Sequence, residues 1–257
     1  MVQASARVLS ALQSADLARA AVILIRGGIV ALPFNGIFAL CGDLEQPHVH
    51  GRIMAAKIRP QDQRLAQVCL PEHANELVDF SKTPRPERDV LALWQDVHSL
   101  GMILPATGRG IAAQERVQPS DGTTLLVWTE YPPLRRVLEQ FRALGGKALF
   151  GSSANRSGQP TATTTREVWR EFFTEIDAIV ADEFSQLPGQ RRQSSTIVDL
   201  SSAQPRLNRA GSVTHVELQA ALALHGFGRL QIGSASDTSN TRPVVCATSS
   251  LRAPSLI

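Results

Sequence analysis

The sequence predicts an α/β fold: an open, mixed sheet with helices packed on it. Short apolar runs suited to buried strands recur along the chain, among them Ile29 to Leu32 and Ala148 to Phe150. Amphipathic stretches of helical period fall between them, without the strict alternation of a βαβ series. Composition agrees with both observations. A chain of 257 residues, 43% apolar and 19% charged, buries a sizeable core and reads as a soluble globular protein.

The elements follow in order. Leu17, Ala20, Ala21, Leu24 and Ile25 share one helical face, with Ser14 placed to cap its start and Gly27-Gly28 to stop it. Ile29 to Leu32 is too short for a helix and reads as a buried strand. Pro33 to Gly36 turns the chain, and Ile37 to Leu40 resumes as a second strand. His48 to Lys57 is helical and ends where Arg59-Pro60 forbids continuation. Leu65 to Leu70 is strand-like, Asp89 to Val97 helical and Met102 to Leu104 strand-like. Thr107 to Gly122 is rich in turn formers and is expected to be a polar loop.

Thr123 to Trp128 reads as a strand, and Leu134, Val137, Leu138 and Phe141 mark a helix stopped by Gly145-Gly146. Ala148 to Phe150 is the next strand. Thr164 and Glu167 have the spacing of a capping box, which announces a helix. Ile176 to Ala181, Thr196 to Leu200 and Arg206 to Asn208 are short strands, and Leu218, Ala221 and Leu222 open the last helical face. Residues 1–230 form one expected domain. Residues 231–257 are expected to be a disordered tail, since Ser, Thr, Ala and Pro dominate from Gly233 without periodicity. Within that tail, Val244-Val245-Cys246 is a candidate docking strand.

Several function classes fall away. Net charge is +3 and pI ≈ 9.0, mild values that allow nucleic-acid contact without requiring it. Cys41, Cys69 and Cys246 are odd in number and lack metal-ligand spacing, so reduced thiols in a cytoplasmic protein are expected. The longest apolar stretch, Ala20 to Ile25, is far too short to cross a bilayer. His48 and His50 have no third ligand nearby and read as surface or helix-start residues. Trp94, Trp128 and Trp169 read as core, and Arg135-Arg136 and Arg191-Arg192 as solvated pairs, the latter close enough to Ser195 to rim a cavity.

Two polar signatures carry the chemistry. Lys57-Ile58-Arg59-Pro60 puts two cations at a helix end; Gly151-Ser152-Ser153-Ala154-Asn155-Arg156-Ser157-Gly158 puts hydroxyls, an amide and backbone N–H groups after a strand. Cations facing neutral donors suit a polyanion such as a nucleoside triphosphate. Neither segment has the order of a P-loop or a dinucleotide fingerprint. A third station, Ser194-Ser195-Thr196-Ile197-Val198-Asp199, precedes Arg209-Ala210-Gly211.

Taken together, these stations resemble the YrdC-like family, the threonylcarbamoyl-AMP synthases that begin threonylcarbamoyladenosine modification of tRNA. The resemblance spans roughly Leu17 to Gly211. It includes the opening strand Gly27 to Pro33, the Lys-x-Arg-Pro at Lys57 to Pro60, and the Ser-Ala-Asn-x-Ser-Gly at Ser153 to Gly158. It implies an open twisted sheet with a concave basic cavity, and a reaction of ATP, bicarbonate and threonine that releases pyrophosphate. By the same carry-over, Lys57 and Arg59 are the catalytic cations on the phosphates. Ser153 and Asn155 hydrogen-bond nucleotide and carbamate, Ser195 lines the cavity and Arg209 closes on the nucleotide. Mg²⁺ is implied as companion of the triphosphate, without a carboxylate cage. An alternative is a non-catalytic relative that binds nucleotide, tRNA or double-stranded RNA.

The acceptor side departs from the family. Its Pro-Thr-Asp/Glu-Thr-x-Tyr-Gly-Leu becomes Pro33-Phe34-Asn35-Gly36-Ile37-Phe38-Ala39-Leu40 here, and Val68 stands near an expected histidine. Pro105 and Trp128 occupy positions where basic or polar residues are expected. Phe34, Gly36, Phe38 and Val68 therefore mark a changed acceptor pocket, for another amine than threonine. A pocket that has lost its polar partners no longer selects a hydroxylated ligand.

Overall fold

A computed structural model describes residues 6–60, 64–115, 121–182 and 192–232. The described strands form one mixed sheet in the order β1-β8-β2-β3-β7-β4-β6-β5-β9-β10-β11. They are β1 (Arg7–Ser10), β2 (Val30–Pro33), β3 (Phe38–Asp43), β4 (Ala66–Val68), β5 (Leu100–Pro105), β6 (Thr123–Trp128), β7 (Leu149–Ser153), β8 (Ala178–Ala181), β9 (Thr196–Asp199), β10 (Arg206–Arg209) and β11 (Gln231–Ile232). The helices are α1 (Ser14–Ile25), α2 (Val49–Lys57), α3 (Glu87–Asp96), α4 (Gly108–Glu115), α5 (Pro132–Ala143), α6 (Thr165–Phe172) and α7 (His215–Leu224). Short 3-10 turns at Pro71–Glu76 and Phe80–Lys82 link β4 to α3. The expected tail, with Val244-Val245-Cys246, lies outside the described residues, apart from Gln231 and Ile232 in β11.

The centre of the sheet explains its stability. All six residues of β3 are buried, and it runs antiparallel to both β2 and β7. A strand covered on both faces needs apolar side chains on both, as Phe38, Leu40 and Cys41 supply. Helix α1 buries Leu17, Ala20, Ala21 and Leu24. At roughly 25 cal/mol per Å² of apolar surface, such stripes supply most of what holds a helix to a sheet. Burial pushes the Cys41 thiol well up from its ordinary value and Cys69 to about 12, which keeps both unreactive.

Several expectations need correction. Ser14 is the first residue of α1 rather than its cap; Gln13 holds the cap position without a side-chain bond, and Asp16 accepts from the Ser10 N–H at 2.9 Å. Where Thr107 to Gly122 was expected to loop, α4 covers Gly108–Glu115. Thr107 Oγ1 accepts from the Gly110 N–H at 3.3 Å and starts that helix. The glycine there reflects close packing, since a Cβ at Gly110 would stand 2.6 Å from the Leu77 carbonyl oxygen. Trp169 is 45% exposed and stacks on Phe173, because Val168 and Phe172 take the buried face of α6. His50 is buried with its ring edge-on to Phe150 at 5.6 Å. Arg135 pairs with Glu130 at 3.0 Å and Glu72 at 3.1 Å, over the Trp128 ring.

Two backbone devices set the site. The β2–β3 hairpin turns through Asn35 at φ 47 and Gly36 at φ 101, with the Phe34 N–H donating to the Ile37 carbonyl at 2.8 Å. Positive φ at both central residues is what a tight hairpin of this hand requires, hence Asn-Gly. At the end of α2, Ile58 is left-handed at φ 52 and ψ 50. Its N–H donates to the Ala55 carbonyl and that of Arg59 to the Met54 carbonyl, both at 3.0 Å. This closes the helix as a Schellman motif.

A β-branched residue in that conformation is strained, and Ile58 is 73% exposed, so no packing offsets the strain. Replacing Ile58 by Asn, which tolerates left-handed backbone, is expected to stabilise the fold by about 1 kcal/mol. Urea unfolding of the variant against the parent checks this.

Candidate functional site

The Schellman turn sends Lys57 and Arg59 in different directions. Lys57, the last residue of α2, is 1% exposed. Its ammonium donates to the Ser153 carbonyl, to the Asn155 carbonyl at 2.7 Å and to Asn155 Oδ1 at 3.1 Å. Three acceptors use all three of its donors. Asn155 is engaged as fully: Oδ1 also accepts from Ser153 Oγ at 2.7 Å, and Nδ2 donates to the Arg156 and Gln159 carbonyls at 2.9 and 2.7 Å. Arg156 donates to the Ala56 carbonyl at the end of α2 and pairs with Glu175 at 2.8 Å. These bonds sew the β7 turn onto the end of α2.

Arg59 contrasts with Lys57. Its guanidinium has no hydrogen-bond or ion-pair partner among the described residues, and burial pushes it below its ordinary value. Arg209 stands nearby, lowered first by burial and then by the Arg59 charge. Its placement depends on an irregularity. Strand β10 pairs Leu207 with Val198 and then Arg209 with Ile197, so Asn208 is bulged out. The bulge turns Arg209 onto the face of Ile197 instead of that of Thr196. Arg209 Nη2 donates to the Ser195 carbonyl at 2.8 Å. Gly211 lies so close to the Ser194 and Ser195 backbone that a Cβ there would collide with it.

Two connected chambers result. The outer one, about 730 Å³, is lined by Lys57, Arg59, Ser153, Asn155, Ser157 to Thr161, Thr163, Arg192 to Ser194 and Arg209 to Gly211. The inner one, about 130 Å³, is walled by Phe34, Ile37, Ala39, Leu65, Val68, Leu125, Val127 and Ile197. Arg59, Ser153, Ser194 and Arg209 line both and form the junction. No Asp or Glu lines either. Two close guanidinium groups without a carboxylate between them repel each other and favour an anion.

The structure therefore brings Lys57, Arg59, Ser153, Asn155, Ser195 and Arg209 to one hollow. Of the four acceptor-pocket positions, Phe34 and Val68 wall the inner chamber. Phe38 is fully buried on the opposite face of β3 from Ala39, and Gly36 serves the hairpin turn. Trp128 is likewise in the core, since Leu125 and Val127 take the chamber face of β6. Sequence reasoning missed Arg64, Leu125, Val127, Ser194 and Thr161; the alternation along β6 marks Leu125 and Val127 as sharing a face without saying which. Arg192 rims the outer chamber, while Arg191 lies outside the described residues.

Among the described residues no group of three or more His, Cys, Asp or Glu side chains is placed to hold a metal ion. A divalent ion fits here as a companion of phosphate oxygens and water. No helix among them is long and apolar enough to cross a membrane.

Sheet and chambers define an open-sheet α/β protein in which a cationic hollow opens onto an apolar one. The chain belongs to the Sua5/YciO/YrdC family, whose model, described as "Telomere recombination", matches residues 22–211. A threonylcarbamoyl-AMP synthase of Xanthomonas euvesicatoria pv. vesicatoria is 29% identical over 191 residues, 74% of this chain and 95% of that protein. The crystal structure of P. abyssi Sua5 complexed with L-threonine superposes with a TM-score of 0.70 at 22% identity, over 88% of this chain and 62% of that one. E. coli YciO gives 0.61 at 18% identity, over 83% and 98%. At these identities the structural likeness is one of fold.

Lys57 has a measurable consequence. Burial first, and then Arg59, push its ammonium down to about 7; Glu171 opposes this and Arg156 adds to it. A polyanion in the outer chamber favours the charged form and raises that value. Binding of ATP above pH 7 is therefore expected to take up a proton, and affinity to fall as pH rises through the value of the bound state. Calorimetry at pH 8 in buffers of different ionisation enthalpy reads the uptake, which Lys57→Gln removes.

Proposed function

We propose that the chain is an ATP- and bicarbonate-dependent carbamoyl-adenylate synthase acting in the cytoplasm. Amine and bicarbonate condense to a carbamate with loss of water. A carbamate oxygen then attacks the α-phosphorus of ATP, the bond to the bridging oxygen breaks, and pyrophosphate leaves. The observation that carries this reading is the unpaired Arg59 beside Arg209, at the junction of a large polar chamber and a small apolar one.

Such a reaction brings one anion onto another. Its barrier is lowered chiefly by fixed positive charge and by positioning. Arg59 and Arg209 are placed to screen the α-phosphate and the incoming carbamate at the junction. Arg192 at the rim meets the outer phosphates. Lys57 and Asn155 act from behind: they hold the Ser153–Gly158 turn, whose backbone and hydroxyls face the nucleotide, and Lys57 adds charge through that wall. Ser195, with its carbonyl held by Arg209, fixes the other wall. Mg²⁺ bound to the triphosphate supplies further charge neutralisation. Relatives that carry the name threonylcarbamoyl-AMP synthase support the chemistry.

Two variants separate the roles. Arg59→Ala removes a group without protein partners, so pyrophosphate release is expected to fall about 10²–10³-fold with the unfolding midpoint unchanged. Asn155→Ala removes four hydrogen bonds and is expected to destabilise the fold by about 2–4 kcal/mol as well as lower activity. A pyrophosphate-coupled assay with labelled bicarbonate, alongside thermal unfolding, checks both. ATP-dependent pyrophosphate with no amine tested, together with steeply salt-dependent RNA binding, would favour the non-catalytic reading.

A further inference from the structure

Polarity within the inner chamber is graded. Its polar groups, Arg59, Ser153, Ser194 and Arg209, lie at the junction with the outer chamber. Its depth is walled by Ile37, Val68, Leu125, Val127 and Ile197, with Phe34 beside them. Arg64 also reaches the wall, but Asp121 at 2.7 Å and Thr123 Oγ1 at 3.0 Å already answer its charge. Ser153 Oγ is committed to Asn155 at 2.7 Å, and Ser194 Oγ lies 3.1 Å from Thr161 Oγ1.

We infer that the acceptor is an α-amino acid with a branched aliphatic side chain, and that Val68 and Phe34 determine this specificity. The inference rests on the carbamoyl-adenylate reading above. The graded polarity fits the two ends of such a molecule. An amine and a carboxylate at the junction meet the two guanidinium groups and stand next to the phosphates. The side chain points into the depth, where nothing but carbon awaits it. No carboxylate lines the chamber to hold an ammonium, which suits a nucleophile that enters as a neutral amine or leaves as a carbamate. Size agrees: apolar protein cavities of ~150 Å³ hold a six-carbon ring, so about 130 Å³ takes an aliphatic side chain of three or four carbons with its head at the junction.

Valine and threonine are the deciding pair, being equal in shape and different in one hydroxyl. An apolar pocket disfavours the hydroxylated isostere by about 10²-fold. The experiment offers ATP, labelled bicarbonate and single amino acids, and measures carbamoyl-AMP by mass spectrometry, with calorimetric amino-acid binding in the presence of ATP. Valine or isoleucine exceeding threonine by about 10²-fold in kcat/KM is expected. Val68→Thr keeps the side chain's shape and puts a hydroxyl in the depth, and is expected to bring the ratio to within about tenfold. Thermal unfolding of this variant checks that the fold survives.

Threonine as the best substrate would overturn the inference and leave the synthase reading standing. An adduct formed as fast without any amino acid would also overturn it. Absence of any adduct would end the synthase reading; the binding measurement then decides the chamber, where valine over threonine supports its aliphatic selectivity and equal or no binding overturns it.

Discussion

A buried ammonium holds the site together. Lys57 joins the last turn of α2 to a turn about a hundred residues later through Ser153 and Asn155. Burying such a charge is costly unless every donor is answered, and here three acceptors converge on it. Asn155 in turn spends its whole hydrogen-bonding capacity on neighbours, and the Ser157 N–H donates to the Lys57 carbonyl at 3.0 Å. The result is a rigid corner with one wall made by the turn and another by Arg59.

From that corner the division of labour follows. Residues fixed by protein partners shape the hollow, and residues without them are left to meet a ligand. Arg59 belongs to the second group because the left-handed Ile58 turns it away from the bonds that hold Lys57. Arg209 reaches the same junction only through the bulge at Asn208. Two strained or irregular backbone positions thus converge on one pair of guanidinium groups, in keeping with the tendency of such features to gather at functional sites.

Much of this was legible in the sequence. The strands of the centre were clear because β2, β3 and β7 are apolar runs, and the capping box of α6 was visible as Thr164 and Glu167. The convergence of Lys57 and Asn155 followed from their motifs. Other features were hidden for physical reasons. Helix α4 contains glycines required by close packing, which read as turn formers. Strand β1 is half exposed and gains its identity from parallel pairing with β8, a long-range contact without a local signature. Phe38 looked like part of the pocket, but a strand's alternation places it in the core once Ala39 faces the chamber. Nor does any pattern reveal that Lys57 spends its charge on the protein while Arg59 keeps its own.

The central claim is that phosphates lie between Arg59 and Arg209, with Lys57 bonded to the protein behind them. A crystal structure with a non-hydrolysable ATP analogue tests it most directly. The account predicts phosphate oxygens within hydrogen-bond distance of both guanidinium groups, the adenosine in the outer chamber, and the Lys57 bonds to Ser153 and Asn155 intact. Phosphates bound away from the junction, or Lys57 released from the turn to grip them, would contradict it.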